Sequence, residues 1–205
     1  MSADPASHSK RESFREAHER LWRVMPQGLN IVDADARSLR IDYRDIESLR
    51  IAYAPTSLKL WRHVAEIRLK SGHSFVIDNG HFHGIGDFEE RSDSFRHMLA
   101  ALFDALKQHN PDAVLVTGEH QTRHWGYSIM LCLSLLLLAW VAWAVSGNDI
   151  VVFLVIFVGV FLTYGSGAGD IMRRTRPGAP QTIGGLTELP AAHLPPAADD
   201  ETGRL

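Results

Sequence analysis

The sequence predicts an α+β protein in which an antiparallel sheet or barrel with a C-terminal helix is followed by a two-helix transmembrane hairpin. Across residues 28–78, apolar residues alternate with charged ones, which is the period of a half-buried strand. After Ser92 the apolar residues recur at the spacing of an amphipathic helix. Residues 126–169 then contain Asp149 as their only aspartate, glutamate, lysine, arginine or histidine.

Two apolar runs, residues 126–145 and 150–169, have the length and composition of transmembrane helices. A helix of about 20 residues at about 1.5 Å per residue spans about 30 Å, which is the thickness of the hydrocarbon core. Residues 146–149, Ser-Gly-Asn-Asp, favour a tight turn and therefore adjacent antiparallel helices. We expect a hairpin over residues 125–170 that crosses the bilayer twice.

The basic residues that flank the two runs predict the orientation of the hairpin. Arg173, Arg174 and Arg176 follow the second run, Arg123 precedes the first, and the turn between the runs has no lysine or arginine. Because basic flanks are retained on the cytoplasmic side, we expect a bacterial inner-membrane protein with both termini in the cytoplasm. The same three arginines, Arg173, Arg174 and Arg176, are the expected contacts with anionic lipid headgroups.

Gly165 and Gly169 are a candidate helix-packing site, because small residues at this spacing let two helices approach closely. The alternative explanation is flexibility where the helix ends. Neither apolar run carries an ionisable group at membrane depth, where transporters and proton relays usually have one. The hairpin is therefore expected to anchor the protein and not to conduct a substrate.

Two terminal segments are expected to lie outside the soluble domain. The first, residues 1–27, is predicted to be an N-terminal arm with an exposed helix over residues 9–22, because opposite charges stand four residues apart there. The second, residues 171–205, is rich in proline and ends in acidic residues, so we expect a disordered tail. The alternative for the tail is a short docking segment built from Leu186, Leu189 and Leu194.

The soluble domain is predicted over residues 28–118. Its strongest signal is a β-hairpin over residues 63–78, where two alternating runs flank a Ser-Gly turn. A helix with one apolar stripe is predicted to begin at Ser92 or Ser94 and to end at Asn110, and a short strand follows it. Strands with one apolar face make a sheet that this helix can cover.

The order of three short segments resembles small uncharacterised bacterial membrane proteins with a pleckstrin-homology-like (PH-like) domain. These segments are Asn-Gly-His-Phe-His-Gly at residues 79–84, Phe-Glu-Glu-Arg-Ser at 88–92, and the helix end His-Asn-Pro at 109–111. The resemblance extends over residues 28–118. It implies a PH-like sheet or barrel and a non-catalytic domain at the cytoplasmic membrane surface. The resemblance assigns no functional residues, because no ligand-binding motif can be placed on this sequence.

His81 and His83 are the residues in which a metal site would be sought. They are two residues apart, so on a strand they would share one face, and His73, Asp78 or Asp87 could supply a third ligand. The alternative is a turn lined with polar aromatic side chains. Because no further ligands at metal-site spacing complete the set, we predict no metal, no cofactor and no catalytic residue.

The expected function is that of a membrane-anchored, non-catalytic interaction module. A net charge of −3 and a pI near 6.4 give no basic field for nucleic acid, so we expect none as a partner. The expected partners are membrane lipids and a protein, or a second copy of the chain. Two alternatives stay open: a metal- or acid/base-dependent enzyme at the membrane, and an accessory subunit of a membrane complex.

Overall fold

The computed structural model describes residues 6–147 and 149–196, and for residues 160–168 it describes the backbone alone. The chain forms two compact units. The first contains Met1–Gly118 together with Gly178–Leu205, and the second contains Glu119–Pro177. The first unit is therefore discontinuous in sequence, because the chain leaves it, forms the second unit and then returns.

Within the described residues, the first unit consists of short strands, one long helix and three 3-10 turns. The strands are β1 (Ser7–Lys10), β2 (Arg20–Met25), β3 (Gly28–Val32), β4 (Ser38–Ile41), β5 (Ile46–Tyr53), β6 (His63–Leu69), β7 (Ser74–Asp78), β8 (Gly80–Gly84), β9 (Asp87–Glu90), β10 (Val114–Thr117) and β11 (Gln181–Thr182). The helix, α1, is Ser92–His109, and the 3-10 turns are Tyr43–Asp45, Ile183–Gly185 and Ala191–His193.

The strands form separate sheets, which confirms the α+β class but not a barrel. One sheet has the order β1-β2-β3-β4, another has the order β11-β10-β5-β6-β7, and β8 pairs with β9 alone. No pairing within the described residues joins these sheets, so the barrel form of the predicted domain is not closed. β10 runs parallel to β5, because α1 carries the chain back along the sheet before β10 begins. The other pairings are antiparallel.

The apolar stripe of α1 covers the strands, as its spacing predicts. The side chains of this stripe are buried, and they are Phe95, Met98, Leu99, Leu102, Phe103 and Leu106. They share one core with the inward residues of the strands, which include Leu49, Ile51, Ile67 and Ile77. At the end of α1 the Asn110 amide donates to the carbonyl oxygens of Tyr43 and Ile46, at 3.0 and 2.8 Å. These bonds join the helix end to the start of β5.

The predicted helix over residues 9–22 is wrong. β1 and β2 form an antiparallel hairpin there, and β2 continues the pairing onto β3. Two of the opposite charges that suggested a helix still form an ion pair. Arg20, the first residue of β2, lies 2.8 Å from Glu16 in the loop between β1 and β2. Strand pairing buries Trp22 to 3% exposure, and this burial outweighs a local charge preference. The strands of the described part of the arm, from residue 6 onward, therefore belong to the same sheet as β3 and β4.

The predicted disordered tail is also wrong for the described part of residues 171–205. Gln181 and Thr182 form β11 against β10, and Ile183 is fully buried in the core. Leu186, Leu189 and Leu194, the candidate docking segment, pack against the same core. The prolines favoured an open chain, but three leucines and one isoleucine bury enough apolar surface to hold it. The acidic end, residues 197–205, lies outside the described residues.

The second unit is a pair of helices that lie side by side in opposite directions. They are α2 (Gln121–Val145) and α3 (Ile150–Arg174). Near the turn, the rings of Trp143 and Phe153 are 5.6 Å apart. At the other end, Ser128 Oγ lies 3.8 Å from Met172 Sδ. The predicted antiparallel arrangement of two helices around residues 146–149 is present.

Among the described residues, α2 alone is long and apolar enough to cross a membrane. The predicted span over residues 126–145 lies within it. The described apolar part of α3 is shorter, Ile150–Gly159, and part of the second predicted span falls on residues whose side chains are not described. Both helices expose large apolar side chains, for example Trp140 at 67% and Val155 at 69%.

Candidate functional site

Strand β7 is an outer strand of the five-stranded sheet, and its free edge borders a groove. On one side β7 pairs with β6, and on the other side no strand pairs with it in the part of the chain that the structure describes. An edge strand offers unpaired backbone N–H and C=O groups to another chain. The groove has a volume of about 500 Å³ and is lined by strands of the four-stranded sheet as well as by β7.

Hydrogen bonds at both ends of the β6–β7 hairpin show which backbone groups of β7 face outward. At the turn, Leu69 N–H donates to His73 O at 2.8 Å, and at the other end Asn79 N–H donates to His63 O at 3.3 Å. Since bonded and non-bonded pairs alternate in an antiparallel ladder, Phe75 and Ile77 bond to β6. The N–H and C=O groups of the alternate residues, Ser74 and Val76, therefore point away from β6 into the groove.

The floor of the groove is a row of three side chains across the four-stranded sheet. Trp22 on β2 is opposite Ile31 on β3, and Ile31 is opposite Leu39 on β4. Exposure rises along this row from 3% at Trp22 through 6% at Ile31 to 48% at Leu39. Val76 on the facing edge is also 48% exposed. The groove is thus apolar at its base and open at the rim.

The indole N–H of Trp22 is buried and has no hydrogen-bond partner within the described residues. A buried donor without an acceptor costs about 1–3 kcal/mol, so such a group usually has a role. Trp22 lines the groove. The indole nitrogen itself has almost no accessible surface, so the groove does not offer its N–H to a ligand.

Two arginines and one aspartate add charge to the groove. Arg20 is already paired, with Glu16 at 2.8 Å and Asp33 at 3.2 Å. Arg37 is exposed, and its guanidinium makes no ion pair with any described residue. One positive charge is therefore available for an acidic side chain of a ligand. An extended peptide combines the features that fit here: backbone groups for the edge, and alternate side chains for the floor and rim.

The structure brings two of the predicted metal candidates together but replaces the third. His81, His83 and Glu89 have ligand atoms within 4.8 Å of one another, whereas Asp87 is not part of the cluster. β8 carries both histidines and β9 carries Glu89, which is opposite His81. His83 Nε2 lies 3.1 Å from a Glu89 oxygen. The carboxylate comes from the neighbouring strand, because hairpin pairing sets this proximity and sequence spacing does not.

The bonds that these residues already make are unfavourable for a cation. His81 Nδ1 accepts the Arg11 backbone N–H at 3.1 Å, so the neutral ring carries its proton on Nε2 and has no free lone pair. Arg91 Nε lies 3.0 Å from the same Glu89 oxygen that faces His83. Burial and the charge of Arg91 lower the pKa of His81. A guanidinium already holds the position next to the carboxylate that a metal would need.

The remaining predicted residues lie on α3. Arg173 and Arg174 are exposed, and both approach Asp170, at 3.7 and 2.8 Å, while Arg176 is exposed beyond the helix end. Asp170 therefore offsets part of the charge of this basic cluster. Gly169 has no described atom within 4 Å of where a side chain would begin, and Gly165 lies among the residues with backbone description only. Helix packing at these glycines stays a prediction.

No protein-family model matches the chain, and no curated protein matches it either. The function is therefore argued from the chemistry of the groove and from the apolar helices. The sequence pattern had identified β7 but not the groove beside it. The missed signal was Trp22, which stands in an alternating run, Leu-Trp-Arg-Val, directly before a turn at Pro26-Gln27-Gly28.

Proposed function

We propose that this protein is a membrane-anchored, non-catalytic module whose first unit binds an extended segment of a partner protein along β7. The observation that carries the proposal is the set of outward-facing backbone groups of Ser74 and Val76, which border the apolar groove. Together they form a row of donors and acceptors that an added strand can use. The apolar floor and the unpaired Arg37 favour a segment with an apolar and an acidic side chain.

Anchoring by two crossings is the second part of the proposal. A helix as long as α3, Ile150–Arg174, is sufficient to span the hydrocarbon core. The chain leaves the first unit after Gly118 and returns to it at Gly178, whose N–H donates to Thr117 O at 2.8 Å. Since both connections begin at one place on one unit, the chain must cross an even number of times. The arginines in the last turn of α3 and directly after it favour the cytoplasmic face of a bacterial inner membrane.

The anchoring is tested by extraction and by topology reporters in the native membrane. We expect the full chain to stay in the membrane fraction after carbonate washing. A reporter inserted after Gly147 should be periplasmic, and one at the C-terminus should be cytoplasmic. Release by carbonate, or a cytoplasmic reporter in the turn, would contradict the two-crossing anchor.

The groove is tested with a photo-crosslinking amino acid placed at Leu39, on the groove rim, in the full-length protein. The matched control carries the same amino acid at Met25, which is 38% exposed and does not line this groove. We expect one partner segment to be crosslinked from Leu39 and not from Met25. The same crosslink should disappear when Val76→Pro removes an outward N–H.

A synthetic peptide of the mapped segment then tests the binding mode. N-methylation of an amide that faces β7 should weaken binding about tenfold for one lost hydrogen bond, whereas methylation of the adjacent amide should not. Equal effects at neighbouring amides would exclude strand addition as the binding mode.

A further inference from the structure

The chain leaves and re-enters the first unit at one end of the five-stranded sheet. Gly118 N–H donates to Ile51 O at 2.9 Å, and Thr117 is opposite Ile51 in the parallel pairing of β10 with β5. β5 ends two residues later, at Tyr53. Gly178 bonds to Thr117 at the same place. Both connections to the apolar helices therefore start where β5 ends.

The loop between β5 and β6, residues 54–62, projects from this same end. Its tip exposes two leucines, Leu58 at 65% and Leu60 at 64%. The neighbouring elements at this end also expose apolar side chains. Val64 on β6 is opposite both Ala52 on β5 and Asp78 on β7, so the β8–β9 hairpin that follows Asp78 begins at this end as well. Ile85 at the tip of that hairpin is 95% exposed.

Internal hydrogen bonds fix the conformation of the loop. Ala54 N–H donates to Arg62 O at 3.0 Å and closes its base. Thr56 and Lys59 exchange backbone bonds of 3.0 and 3.2 Å around Leu58. The hydroxyl of Tyr53 donates to Leu60 O at 2.6 Å. The two leucines are therefore held outward by a defined turn, so their exposure is not explained by an open, unbonded loop.

The composition of the loop suits the interface of a bilayer. Residues 54–62 contain Lys59 and Arg62 and no acidic residue. The charged ends of both cations face the buried carboxylate of Asp78, Arg62 Nε at 2.7 Å and Lys59 Nζ at 3.9 Å, so these charges are compensated inside the unit. Exposed leucines in a segment without acidic residues suit the headgroup region, where the apolar side chains enter the acyl boundary.

We propose that the β5–β6 loop inserts Leu58 and Leu60 into the membrane interface and so forms a second contact of the first unit with the bilayer. The inference rests on the proposed membrane anchoring, because the position of the chain exits brings this end of the unit close to the bilayer surface. The loop then restrains the unit at the membrane and leaves the β7 groove for a protein segment.

Depth-dependent fluorescence quenching tests the inference on the full-length protein. Single cysteines are introduced as Leu58→Cys, Met25→Cys and Leu136→Cys in a Cys132→Ser background, since Cys132 is an exposed free thiol. Each is labelled with an environment-sensitive fluorophore and reconstituted into vesicles of phosphatidylcholine and phosphatidylglycerol. Nitroxide groups on the lipids, shallow or deep in the acyl chain, serve as quenchers.

Met25 is the matched control because it is exposed and lies at the opposite end of the unit. Its carbonyl accepts a 2.6 Å hydrogen bond from Tyr43, which stands just before the start of β5. We expect the label at Leu58 to be quenched by shallow nitroxides several-fold more strongly than the label at Met25. Nanodiscs that hold one copy of the protein should give the same result.

The label at Leu136, on α2, separates failure of the inference from failure of the anchor. Quenching at Leu136 with Leu58 as weakly quenched as Met25 overturns the loop inference and leaves the anchor intact. No quenching at Leu136 overturns both. A third outcome is a spectral shift of the Leu58 label that occurs only with several copies per vesicle and without nitroxide quenching. It would show that the loop contacts a second copy of the protein and not the bilayer, and it also overturns the inference.

Discussion

The ammonium group of Lys10 donates a 2.9 Å hydrogen bond to a carboxylate oxygen of Asp78, and both side chains are at most 5% exposed. Lys10 ends β1 and Asp78 ends β7, so the pair joins strands of two different sheets. Arg62 Nε reaches the other carboxylate oxygen at 2.7 Å. No strand pairing among the described residues connects these two sheets, and this buried ion cluster connects them instead.

Removal of Asp78 should destabilise the first unit strongly. Asp78→Asn removes the buried counter-ion that Lys10 and Arg62 share and leaves Lys10 only the partly exposed carboxylate of Glu12, at 2.9 Å. Breaking a buried pair of this kind costs about 3–5 kcal/mol. Urea denaturation of the full chain in mild detergent measures this loss. The control is Glu47→Ala, because the pair of Glu47 with Arg68 is about half exposed and 3.5 Å long, and it should change stability by less than about 1 kcal/mol. Equal effects would mean that the cluster does not hold the sheets together.

Stability should fall as the pH falls from about 6.5 to about 4, because of His8. Burial is the main cause that lowers the pKa of His8 to about 4, although its bond to the Asp78 carbonyl opposes this. Between these pH values the His8 imidazole binds a proton in the unfolded chain but not in the folded chain. The free energy of unfolding is therefore highest above pH 6.5 and decreases as the pH falls. The loss should be on the order of 3 kcal/mol.

Unfolding free energies at several pH values measure this effect. His8→Asn should flatten the profile between pH 6.5 and 4, while His97→Gln on the exposed side of α1 should leave it unchanged. The pKa of Asp78 is lowered, since Lys10 and Arg62 outweigh its burial, so its contribution disappears only at lower pH. An unchanged slope in the His8 variant would contradict the assignment.

Proline at two adjacent positions of β7 should have opposite consequences. Val76→Pro removes an N–H that faces the groove, so the free energy of unfolding should change by less than about 1 kcal/mol. Phe75→Pro removes a bond to β6 and a packed side chain, and it should cost roughly 3 kcal/mol. Phe75→Ala separates the side-chain part of that cost. Similar melting temperatures for the two proline variants would show that the assigned register is incorrect.

The segment that returns after the hairpin should be required for stability of the first unit. Ile183 is fully buried, and its N–H donates to Ala113 O at 2.9 Å. Ile183→Ala should lower the free energy of unfolding by about 2–5 kcal/mol, as for other buried aliphatic side chains. Thr187→Ala, on the exposed side of the same segment, is the control and should be close to neutral. Wild-type stability of Ile183→Ala would mean that the segment is not part of the core.

Zinc should not bind stoichiometrically at His81 and His83. The Arg11 N–H occupies His81 Nδ1 and Arg91 occupies Glu89, so a metal would have to break bonds that the fold already makes. Metal analysis and calorimetric titration with zinc check this on the wild-type protein and on His81→Ala/His83→Ala. A bound equivalent of zinc that is lost in the double variant would favour the enzyme hypothesis over an interaction module.

The elements that the sequence predicted correctly are those whose pattern is strong within a short stretch of chain. The hairpin of β6 and β7 follows from strict alternation around Ser71-Gly72, and α1 follows from a stripe that ends at a proline. The same reasoning failed for residues 9–22. There a helical charge spacing and a strand alternation coexist, and only the presence of β3 as a pairing partner decides between them. The groove could not be predicted for the same reason.

By itself, the sequence determined that a run of residues is apolar on every helical face, that a turn follows it, and that basic residues flank the outer ends. It also determined which strands of the soluble part have an inward face. Tertiary structure alone decided that the proline-rich segment completes the core, that β7 lies at an edge beside Trp22, and that Glu89 joins the two histidines. Helix formation and burial pattern depend on neighbours a few residues apart, whereas strand order depends on contacts between residues far apart in the chain, which no local pattern encodes.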